Sequence, residues 1–469
     1  MINIADINSV TGVTADSRLV KPGYIFVAVK ATLQDGHQYI ERAITAGAII
    51  IVHQDEVIKK NDIDYIKVKH SRLALSEIAA QLYPDQPKYI LGVTGTSGKS
   101  STVHFIREIL SLLKHKAVSI GTLGMVGDLK MEPKLTTPAA DELHPMLQNI
   151  CHNNIDYAAL ECSSHGIEQD RVASVKFAAC GFTNFSQEHL DYHNNMEEYF
   201  AAKKRLFNIM KSGYAVLNSD ILEFNDLLSS CKNHKIICYG KNKVKEAKHN
   251  IIILSITKND LIQKVKWKID NELYESDLNL VGEFQVYNLS CAIGLLMAAR
   301  IDIKDIMPLL PLLNTVTGRM ELVDNYNGAG VFVDFAHKPD AILNILKTLR
   351  TTTKNNLWIV FGCGGDRDRD KRRVMGKIAC DIADKVIITE DNPRTEEPSS
   401  IRKEILQGCN SRAIEVQGRK NAIEYVMEKL MPGDNLVIAG KGHEDYQIIG
   451  TEKIKFSDIE VVKAWLAKK

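Results

Sequence analysis

Short apolar runs alternate with amphipathic segments along most of the chain. Runs such as Tyr89–Val93, Phe177–Phe182 and Leu357–Phe361 have a length and composition that predict buried strands. Segments with apolar residues at helical spacing follow several of these runs, and Glu198–Met210 is a strong example. Buried strands that alternate with helices predict an α/β fold with a mainly parallel sheet covered by helices on both faces.

Breaks in this alternation divide the chain into three predicted domains. The segment Pro84–Pro87 interrupts the pattern with two prolines, which is typical of a linker. A further α/β pattern begins near residue 317. The predicted fold is therefore a central domain flanked by two smaller α/β domains, with bounds at residues 1–87, 88–316 and 317–469.

Charge and cysteine content narrow the class of protein. The chain has 59 basic and 58 acidic residues, and a net charge of +1 gives no bulk attraction to nucleic acid or an anionic membrane. Nine cysteines, an odd number without a Cys-x-x-Cys pair, indicate reduced thiols in a cytosol. The N-terminus lacks the features of a signal peptide, and no apolar run approaches the ~20 residues that a membrane helix needs. We therefore expect a cytoplasmic protein.

A glycine-rich loop between a strand and a helix carries the clearest chemical signal. Gly95–Ser101 reads Gly-Thr-Ser-Gly-Lys-Ser-Ser, and it follows the predicted strand Tyr89–Val93. In this context loop N–H groups and the helix N-terminus bind phosphates, Lys99 reaches the β- and γ-phosphates, and the Ser100 hydroxyl ligates Mg²⁺. Val93 stands where the usual P-loop has its first glycine, so this loop is a variant. An ordinary glycine turn is the alternative.

Polar residues follow other strands predicted for the middle domain. Thr136 and Thr137 precede a helix that is predicted to start near Ala139. Glu161 and His189 each come just after a strand, and we predict that they hold Mg²⁺ beside the nucleotide, either as direct ligands or through water. The alternatives are a carboxylate at a helix start for Glu161 and a surface histidine for His189.

Charged loops also follow the strands of the last predicted domain. Arg394 and Arg372 could together hold a carboxylate by bidentate hydrogen bonds, whereas Asp391 and Glu444 could hold an ammonium group. A site with charges of both signs favours a zwitterionic amino acid. A network of surface ion pairs is the alternative.

The motifs of this chain, taken in order, resemble those of the Mur ligases, which build the peptide stem of bacterial peptidoglycan. The resemblance spans the whole chain and rests on Asp16-Ser17-Arg18, Thr94–Ser101, Leu135–Pro138, Glu161–His165, His189–His193, Ala202-Lys203, Gly318–Glu321, Asp334–Asp340, Asp391–Arg394 and Gly440–Glu444. Departures from the family pattern include Ser97 in the glycine loop, and Phe335 and Lys338 on either side of His337.

The resemblance implies a first domain that binds a UDP-sugar, a middle domain that binds ATP, and a Rossmann-like last domain that brings an amino acid. It implies an ATP-dependent ligase that joins meso-diaminopimelate to UDP-N-acetylmuramoyl-L-alanyl-D-glutamate through an acyl phosphate, in peptidoglycan precursor synthesis. The implied cofactors are ATP and two Mg²⁺ ions. The implied partners are these small molecules, with no nucleic acid and no membrane insertion, and we expect a monomer in the bacterial cytoplasm.

The family's functional positions match residues of this chain in five groups. The ATP-binding group is Gly95, Thr96, Ser97, Gly98, Lys99, Ser100, Ser101 and Asn288. The group for the UDP-sugar dipeptide is Ser17, Thr136, Thr137, Ser163, Gln169 and Arg171. The diaminopimelate group is Arg372, Asp391, Asn392, Pro393, Arg394, Gly440 and Glu444. The metal ligands are Ser100, Glu161, His189 and Lys203, the last as a carbamate. The implied catalytic residues are Lys99, His189, Lys203, Arg319, Asp334 and His337.

Three other functions remain open at the level of sequence. The same ligation could use lysine, which lacks the second carboxylate that an arginine can clamp in diaminopimelate. A folylpolyglutamate-type ligase is a second alternative. A regulatory or scaffold protein with a P-loop is the third, and it would need Lys99 and Glu161 but would have no use for the charged loops of the last domain.

Overall fold

A four-stranded parallel sheet opens the computed structural model, which describes residues 9–30, 35–132, 134–187, 192–259, 262–409 and 411–468. Its strands lie in chain order: β1 (Gly12–Thr14), β2 (Tyr24–Val27), β3 (Ala48–His53) and β4 (Asp64–Lys67). Its helices are a 3₁₀ turn (Gly36–Tyr39), α1 (Ile40–Thr45) and α2 (Ser71–Leu82). Ile25 and Val27 pack on the α2 side and Phe26 packs on the α1 side, because successive strand residues face opposite sides.

A ten-stranded sheet forms the middle of the chain, in the order β14-β13-β12-β11-β10-β9-β5-β8-β6-β7. Its strands are β5 (Tyr89–Thr94), β6 (Ala117–Gly121), β7 (Gly124–Gly127), β8 (Tyr157–Glu161), β9 (Phe177–Phe182), β10 (Tyr214–Asn218), β11 (Lys235–Gly240), β12 (His249–Asn259), β13 (Ile262–Ile269) and β14 (Glu272–Leu278). The pairings from β12 to β6 are parallel, and β7 is antiparallel to β6. The predicted, mainly parallel sheet is therefore confirmed.

The helices of this region are α3 (Lys99–Leu112), α4 (Ala140–His152), α5 (Ser164–Glu168), α6 (Met196–Ile209), α7 (Phe224–Ser230), α8 (Glu283–Ala298), α9 (Ile303–Ile306) and a 3₁₀ turn (Met307–Leu312). Five of them, α3 to α7, lie between successive strands of the sheet, and the others follow its last strand, β14. The strand β13 was not predicted, although its side chains alternate between exposed and buried along its length. That alternation has the period of a strand with one covered face.

The central position of β5 brings the ends of three strands together. Val93 on β5 pairs with Glu161 on β8, and Thr94 pairs with Phe182 on β9. Because these strands are parallel, the residues that follow them leave the sheet at the same edge. The Gly95–Ser101 loop therefore lies between the segments that follow Glu161 and Phe182.

A six-stranded sheet forms the last region, in the order β15-β16-β20-β17-β18-β19. Its strands are β15 (Glu321–Tyr326), β16 (Ala329–Asp334), β17 (Leu357–Phe361), β18 (Lys385–Ile388), β19 (Ala413–Glu415) and β20 (Asn435–Ala439), followed by a hairpin of β21 (Tyr446–Ile449) and β22 (Glu452–Lys455). The β15–β16 pair is antiparallel, and the other pairings of the six-stranded sheet are parallel. The helices are α10 (Pro339–Arg350), α11 (Asp370–Ile382), α12 (Pro398–Leu406), α13 (Arg419–Met427) and α14 (Asp458–Leu466).

Both faces of this last sheet are covered by helices. One face packs against α10, α11 and α12, and the other packs against α13 and α14. On β20, Val437 lies in the first core and its neighbours Leu436 and Ile438 lie in the second. A strand that is buried on both faces has a continuous run of apolar residues, and such runs predicted the central strands of this sheet from the sequence.

The chain divides into two compact units. The first consists of Met1–Ile256, Val265–Ser276 and Phe284–Pro311, and the second of Thr257–Lys264, Asp277–Glu283 and Leu312–Lys469. The predicted boundary at residue 87 lies inside the first unit, so the exact three-domain bounds stay a prediction. Within the described ranges, no helix combines the length and apolar character needed to cross a bilayer.

Substitutions at Leu91 and Leu222 test how much the packing of β5 contributes to the stability of the first unit. Leu91 on β5 is fully buried, whereas Leu222 is 97% exposed. We expect Leu91→Ala to lower the free energy of unfolding by about 2–5 kcal/mol, because it leaves a cavity in a packed core. The matched control Leu222→Ala should change it by less than about 0.5 kcal/mol. Urea unfolding followed by circular dichroism measures both, and equal effects of the two substitutions would contradict the packing described here.

Candidate active site

Two glycines give the loop after β5 its shape. Gly95 has φ 141° and Gly98 has φ 82°, values that disfavour residues with a side chain. A Cβ at Gly95 would overlap the Thr183 hydroxyl, and a Cβ at Gly98 would overlap the Asn288 side-chain oxygen. Helix α3 begins at Lys99, so the loop N–H groups and a helix N-terminus adjoin as the sequence predicted.

The segment after β9 holds this loop in place. Asn184 accepts a hydrogen bond from Ser97 N (2.9 Å) at its side-chain oxygen, and its side-chain amide donates to Ser97 O (3.2 Å). Thr96 N donates to Asn184 O (2.9 Å), and Thr183 Oγ1 donates to Ser97 O (2.6 Å). The backbone of the loop is therefore set by its neighbour in the sheet and by its own glycines.

Two predicted catalytic lysines meet at one carbonyl oxygen. Lys99 Nζ and Lys203 Nζ each donate to Gly95 O at 2.8 Å, and Lys99 also donates to Thr96 O at 2.8 Å. Lys203 is almost completely buried, and its Nζ lies 4.3 Å from the centroid of the Tyr199 ring. The structure thus places the predicted carbamate position directly beside the glycine loop.

Glu161 and Ser100 line the same small cavity, together with Arg107 and several apolar side chains. Thr122 fixes the Glu161 carboxylate, because its N donates to Oε1 (3.0 Å) and its hydroxyl donates to Oε2 (3.3 Å). A Cβ at Gly121 would fill the space that the Glu161 side chain occupies. A hydroxyl and a carboxylate that line one cavity are oxygen donors of the kind that Mg²⁺ prefers, and the metal role of both residues stays a prediction.

The other predicted metal ligand cannot be placed. His189 lies outside the described residues, as do Glu188, Leu190 and Asp191. Its role as a metal ligand therefore stays a prediction.

The predicted UDP-sugar residues form a hydrogen-bonded cluster that begins at Glu161. Thr137 Oγ1 donates to Glu161 O (2.8 Å), lies 3.0 Å from Ser163 Oγ and accepts a hydrogen bond from Ser163 N (3.0 Å). Thr136 Oγ1 lies 3.3 Å from Thr122 Oγ1. Because Thr122 also binds the Glu161 carboxylate, this cluster adjoins the candidate metal site.

Arg171 and Gln169 extend the same cluster. Arg171 Nη1 donates to Thr137 O and its Nη2 donates to Gln169 Oε1, both at 2.7 Å. Burial lowers the pKa of Arg171, because a guanidinium loses hydration there. Gln169 Nε2 donates to Tyr192 OH (3.2 Å). Five of the six predicted UDP-sugar residues are thus brought together.

Ser17, the sixth, lies in a turn that is attached to helix α4. Thr14 Oγ1 and Ala15 N donate to the same carboxylate oxygen of Asp141, at 2.9 and 3.1 Å. Asp141 belongs to the first turn of α4, the helix that follows Thr137. Ser17 is buried three residues after Thr14, so its turn is tied to the helix next to the cluster.

In the second unit, Arg394 is held by backbone hydrogen bonds on two sides. Its N donates to Ile448 O (3.1 Å), and its carbonyl accepts from Gly450 N (2.8 Å) in the hairpin. Its guanidinium Nη1 donates to Gly365 O (2.8 Å) in the loop after β17. Arg394 has φ 51°, so its backbone adopts a left-handed conformation that these contacts maintain.

Asn392 and Glu444 share a buried lysine that sequence reasoning did not assign. Lys441 Nζ donates to Asn392 Oδ1 (3.1 Å) and to Glu444 Oε2 (2.9 Å), and Asn392 Nδ2 donates to Glu444 Oε2 (3.0 Å). Asp391 is buried beside them, and its carbonyl accepts a hydrogen bond from Gln447 Nε2 (2.5 Å). Glu444 and Asn392 therefore lie in one hydrogen-bonded network, and Asp391 directly precedes Asn392 in the chain.

Arg372 differs from the other predicted diaminopimelate residues because its side chain is fully buried and paired within the protein. It donates to both carboxylate oxygens of Glu396 (3.0 and 2.9 Å), to Glu404 (2.8 Å) and to Gly364 O (3.1 Å). These hydrogen bonds lower the pKa of Glu396 to about 2. A direct clamp of Arg372 on a ligand would require it to exchange these partners, and that role stays a prediction.

The remaining predicted catalytic residues gather at the end of β16. The Asp334 carboxylate accepts from Met320 N and Ala336 N, both at 2.7 Å, and burial raises its pKa while the charge of Arg319 opposes the rise. The Arg319 guanidinium lies 5.0 Å from the Phe335 ring centroid. Burial lowers the pKa of His337, which favours its neutral form.

Thr122, Asn184 and Lys441 are the supporting residues that the sequence analysis left without a role. Each comes within two residues of a strand's carboxyl end, which was the available signal. That position alone does not tell which side chain turns toward the site, so their contacts needed the structure.

Three family models match consecutive parts of the chain. The model of the Mur ligase family catalytic domain matches residues 9–83, that of the Mur ligase middle domain matches 93–296, and that of the Mur ligase glutamate ligase domain matches 318–442.

Curated relatives match over nearly the whole chain. The UDP-N-acetylmuramoyl-L-alanyl-D-glutamate–2,6-diaminopimelate ligase of Bradyrhizobium diazoefficiens is 41% identical over 467 residues, covering 98% of this chain and 95% of the relative. The ligase of the same name from Rickettsia bellii is 39% identical over 467 residues, covering 97% of this chain and 95% of the relative.

Solved structures match in the same way. A structure of a ligase of that name has a TM-score of 0.73 at 32% identity, covering 98% of this chain and 95% of its own. MurF ligase from Thermotoga maritima in complex with ADP has a TM-score of 0.59 at 17% identity and covers 99% of both chains, which is a likeness of fold.

Gly98→Ala tests the shape of the glycine loop. The substitution combines an unfavourable φ with an overlap on Asn288, so we expect at least tenfold weaker binding of a fluorescent ATP analogue. The matched control is Gly450→Ala, because Gly450 has φ 60° but no atom within 4 Å of an added Cβ. Wild-type affinity in Gly98→Ala would show that this residue does not shape a nucleotide site.

The pairing of Glu396 with Arg372 should make the stability of the second unit depend on pH in the acid range. Its pKa of about 2 lies below the ~4.3 of an unfolded glutamate, so the ionised form stabilises the folded state. This stability is complete above pH ~4.3 and is lost as the pH falls from there toward 2. We expect Glu396→Gln to melt at a lower temperature at pH 7, with the difference from wild type shrinking between pH 5 and 3. The exposed Glu428→Gln is the control, and a pH-independent difference for Glu396→Gln would contradict the assignment.

Proposed function

Because this chain belongs to the Mur ligase family, we propose that it is an ATP-dependent ligase that adds meso-diaminopimelate to UDP-N-acetylmuramoyl-L-alanyl-D-glutamate. The product would be an amide between the D-glutamate carboxyl group and an amine of diaminopimelate, formed in peptidoglycan precursor synthesis. The identity of 41% and 39% to these named relatives, over nearly the whole of each chain, supports the same overall reaction.

One observation within the first unit carries this proposal. Thr137 Oγ1 binds the backbone of Glu161 and lies against Ser163, so it belongs to both the candidate metal site and the UDP-sugar cluster. A ligase of this kind must bring a carboxylate to the γ-phosphate of ATP. A scaffold that only bound a nucleotide would not need a second polar cluster that shares residues with the first.

The first step is phosphoryl transfer to the D-glutamate carboxylate. A carboxylate oxygen attacks the γ-phosphorus, the bond from phosphorus to the bridging oxygen breaks, and ADP leaves with that electron pair. Lys99, now folded onto Gly95 O and Thr96 O, would turn to the phosphoryl oxygens and neutralise their growing charge. Gly95–Ser101 would orient the phosphates through its N–H groups.

Ser100 and Glu161 are the residues that would hold Mg²⁺, and we assign a second ion to His189 and a carbamylated Lys203. When bound, Mg²⁺ neutralises charge on the phosphates as the phosphoryl group moves. Carbamylation would convert the Lys203 ammonium, now a donor to Gly95 O, into an anionic oxygen ligand. Asn288, placed against Gly98, is the proposed contact to the nucleotide.

The second step is attack of a neutral amine on the acyl phosphate. The nitrogen forms a bond to the acyl carbon, inorganic phosphate leaves with the electrons of the carbon–oxygen bond, and the amine loses a proton. We assign recognition of diaminopimelate to Arg394 for a carboxylate, and to Asp391 and Glu444 for an ammonium group. Arg319, Asp334 and His337 are proposed to steer the intermediate.

The cellular setting is a further part of the proposal. We place the enzyme in the bacterial cytoplasm as a monomer, where its supply of peptidoglycan precursor would support cell shape and cell division. Size-exclusion chromatography with light scattering tests the monomer, and fractionation of cells tests the location.

Phosphate release tests the substrate assignment directly. The wild-type chain with ATP, Mg²⁺ and the UDP-dipeptide should release phosphate with meso-diaminopimelate at least a hundredfold more efficiently than with lysine, by kcat/KM. Arg394→Ala should raise KM for diaminopimelate roughly tenfold to a hundredfold, because a charge-assisted pair worth about 1.5–3 kcal/mol is lost. The control is Arg373→Ala, an exposed arginine of the same unit.

Three results would contradict the assignment. Equal use of lysine would favour a lysine-adding ligase, and ADP release that needs neither amino acid would favour a nucleotide-binding regulator. Unchanged KM for diaminopimelate in Arg394→Ala would remove this residue from the site.

A further inference from the structure

Arg419, the first residue of α13, is fully buried and has no role in the function proposed above. Its Nε and Nη2 donate to the two carboxylate oxygens of Asp458, both at 2.7 Å. Asp458, the first residue of α14, is fully buried as well. The two side chains therefore form a bidentate ion pair that joins α13 to α14.

The same guanidinium also reaches the ends of two strands. Arg419 Nη1 donates to Glu390 O (3.2 Å), and Nη2 donates to Ala439 O (2.9 Å). Glu390 is the residue before Asp391, and Ala439 is the last residue of β20, directly before Gly440. One cation therefore binds the starting points of both loops that are assigned to the amino acid.

The charges of those loops act on Arg419 too. Burial disfavours its charged form, but the carboxylates of Asp458, Asp391 and Glu444 outweigh that effect and raise its pKa. Two of these three carboxylates are the proposed ammonium-binding groups. Arg419 thus lies close enough to Asp391 and Glu444 to interact with their charges, although its own side chain is buried.

Hydrogen bonds of Lys441 connect the same two loops at a second place. Lys441 contacts Asn392 in the first loop and Glu444 in its own. Arg419 consequently sets the distance between the loops where they begin, and Lys441 sets it closer to their middle. A lysine could not replace Arg419, because an ammonium group lacks the planar fork that serves a carboxylate and two carbonyls together.

We infer that Arg419 is a positioning residue that sets the spacing of the Asp391–Arg394 and Gly440–Glu444 loops and thereby the affinity and selectivity for diaminopimelate. The inference rests on the proposed function. Small displacements of binding groups have large effects, because both ends of a ligand must be met at once.

Steady-state phosphate release by the full chain tests this role, with ATP, Mg²⁺, the UDP-dipeptide and either diaminopimelate or lysine. We expect Arg419→Lys to raise KM for diaminopimelate at least tenfold, with KM for ATP and for the UDP-dipeptide within twofold of wild type. The preference for diaminopimelate over lysine should fall by a similar factor.

A double variant separates positioning from stability. Arg419→Met/Asp458→Leu removes both buried charges, and such replacements often preserve stability. We expect its melting temperature to stay near that of wild type while KM for diaminopimelate remains at least tenfold raised. Arg350→Lys is the matched control, because Arg350 pairs with Asp384 at the amino ends of β17 and β18. It should change the melting temperature but leave each KM unchanged.

Wild-type KM for diaminopimelate in the double variant would show that the ion pair serves stability alone, and would overturn the inference. If the double variant does not fold, a wild-type KM for diaminopimelate in folded Arg419→Lys would overturn the inference instead. A wild-type chain that releases no phosphate with diaminopimelate would instead refute the proposed function, so the two failures are distinguishable.

Discussion

Parallel pairing of β5 with β8 and β9 is the constraint on which the first unit depends. The hydrogen bonds of these strands bring Val93 beside Glu161 and Thr94 beside Phe182. Three chain segments distant in sequence therefore leave the sheet at one edge, and the Gly95 carbonyl comes within reach of Lys99 and Lys203. The apolar core on both faces of these strands makes the arrangement stable, because a shift of one strand would disrupt close packing on each face.

Close approach at this edge is achieved with glycines and with satisfied polar groups. Gly95, Gly98 and Gly121 stand where a Cβ would overlap a neighbouring side chain. Thr137 contacts both Glu161 and Ser163, so its hydroxyl is satisfied without water. Buried polar groups that are paired in this way hold a single geometry, which a site that transfers phosphate needs.

The second unit uses buried cations for the same purpose. Arg372, Arg419 and Lys441 are all fully buried, and each is paired with at least one carboxylate. An unpaired charge in such surroundings would be strongly destabilising, so the partners and their spacing constrain the loops around them. The sequence could not show that Glu396 and Glu404 contact the guanidinium of Arg372, and its contact with the ligand stays a prediction.

The sequence by itself determined the strand–helix alternation, the glycine loop and the charged loops at strand ends, because these depend on local periodicity and residue type. It also placed Glu161, Thr137 and Arg394 among the functional candidates. Only the tertiary structure decided that Thr122 holds Glu161, that Asn184 holds the loop, and that Arg419 joins two loops. Such contacts link residues far apart in the chain, and they depend on strand order and side-chain direction, which no local pattern encodes.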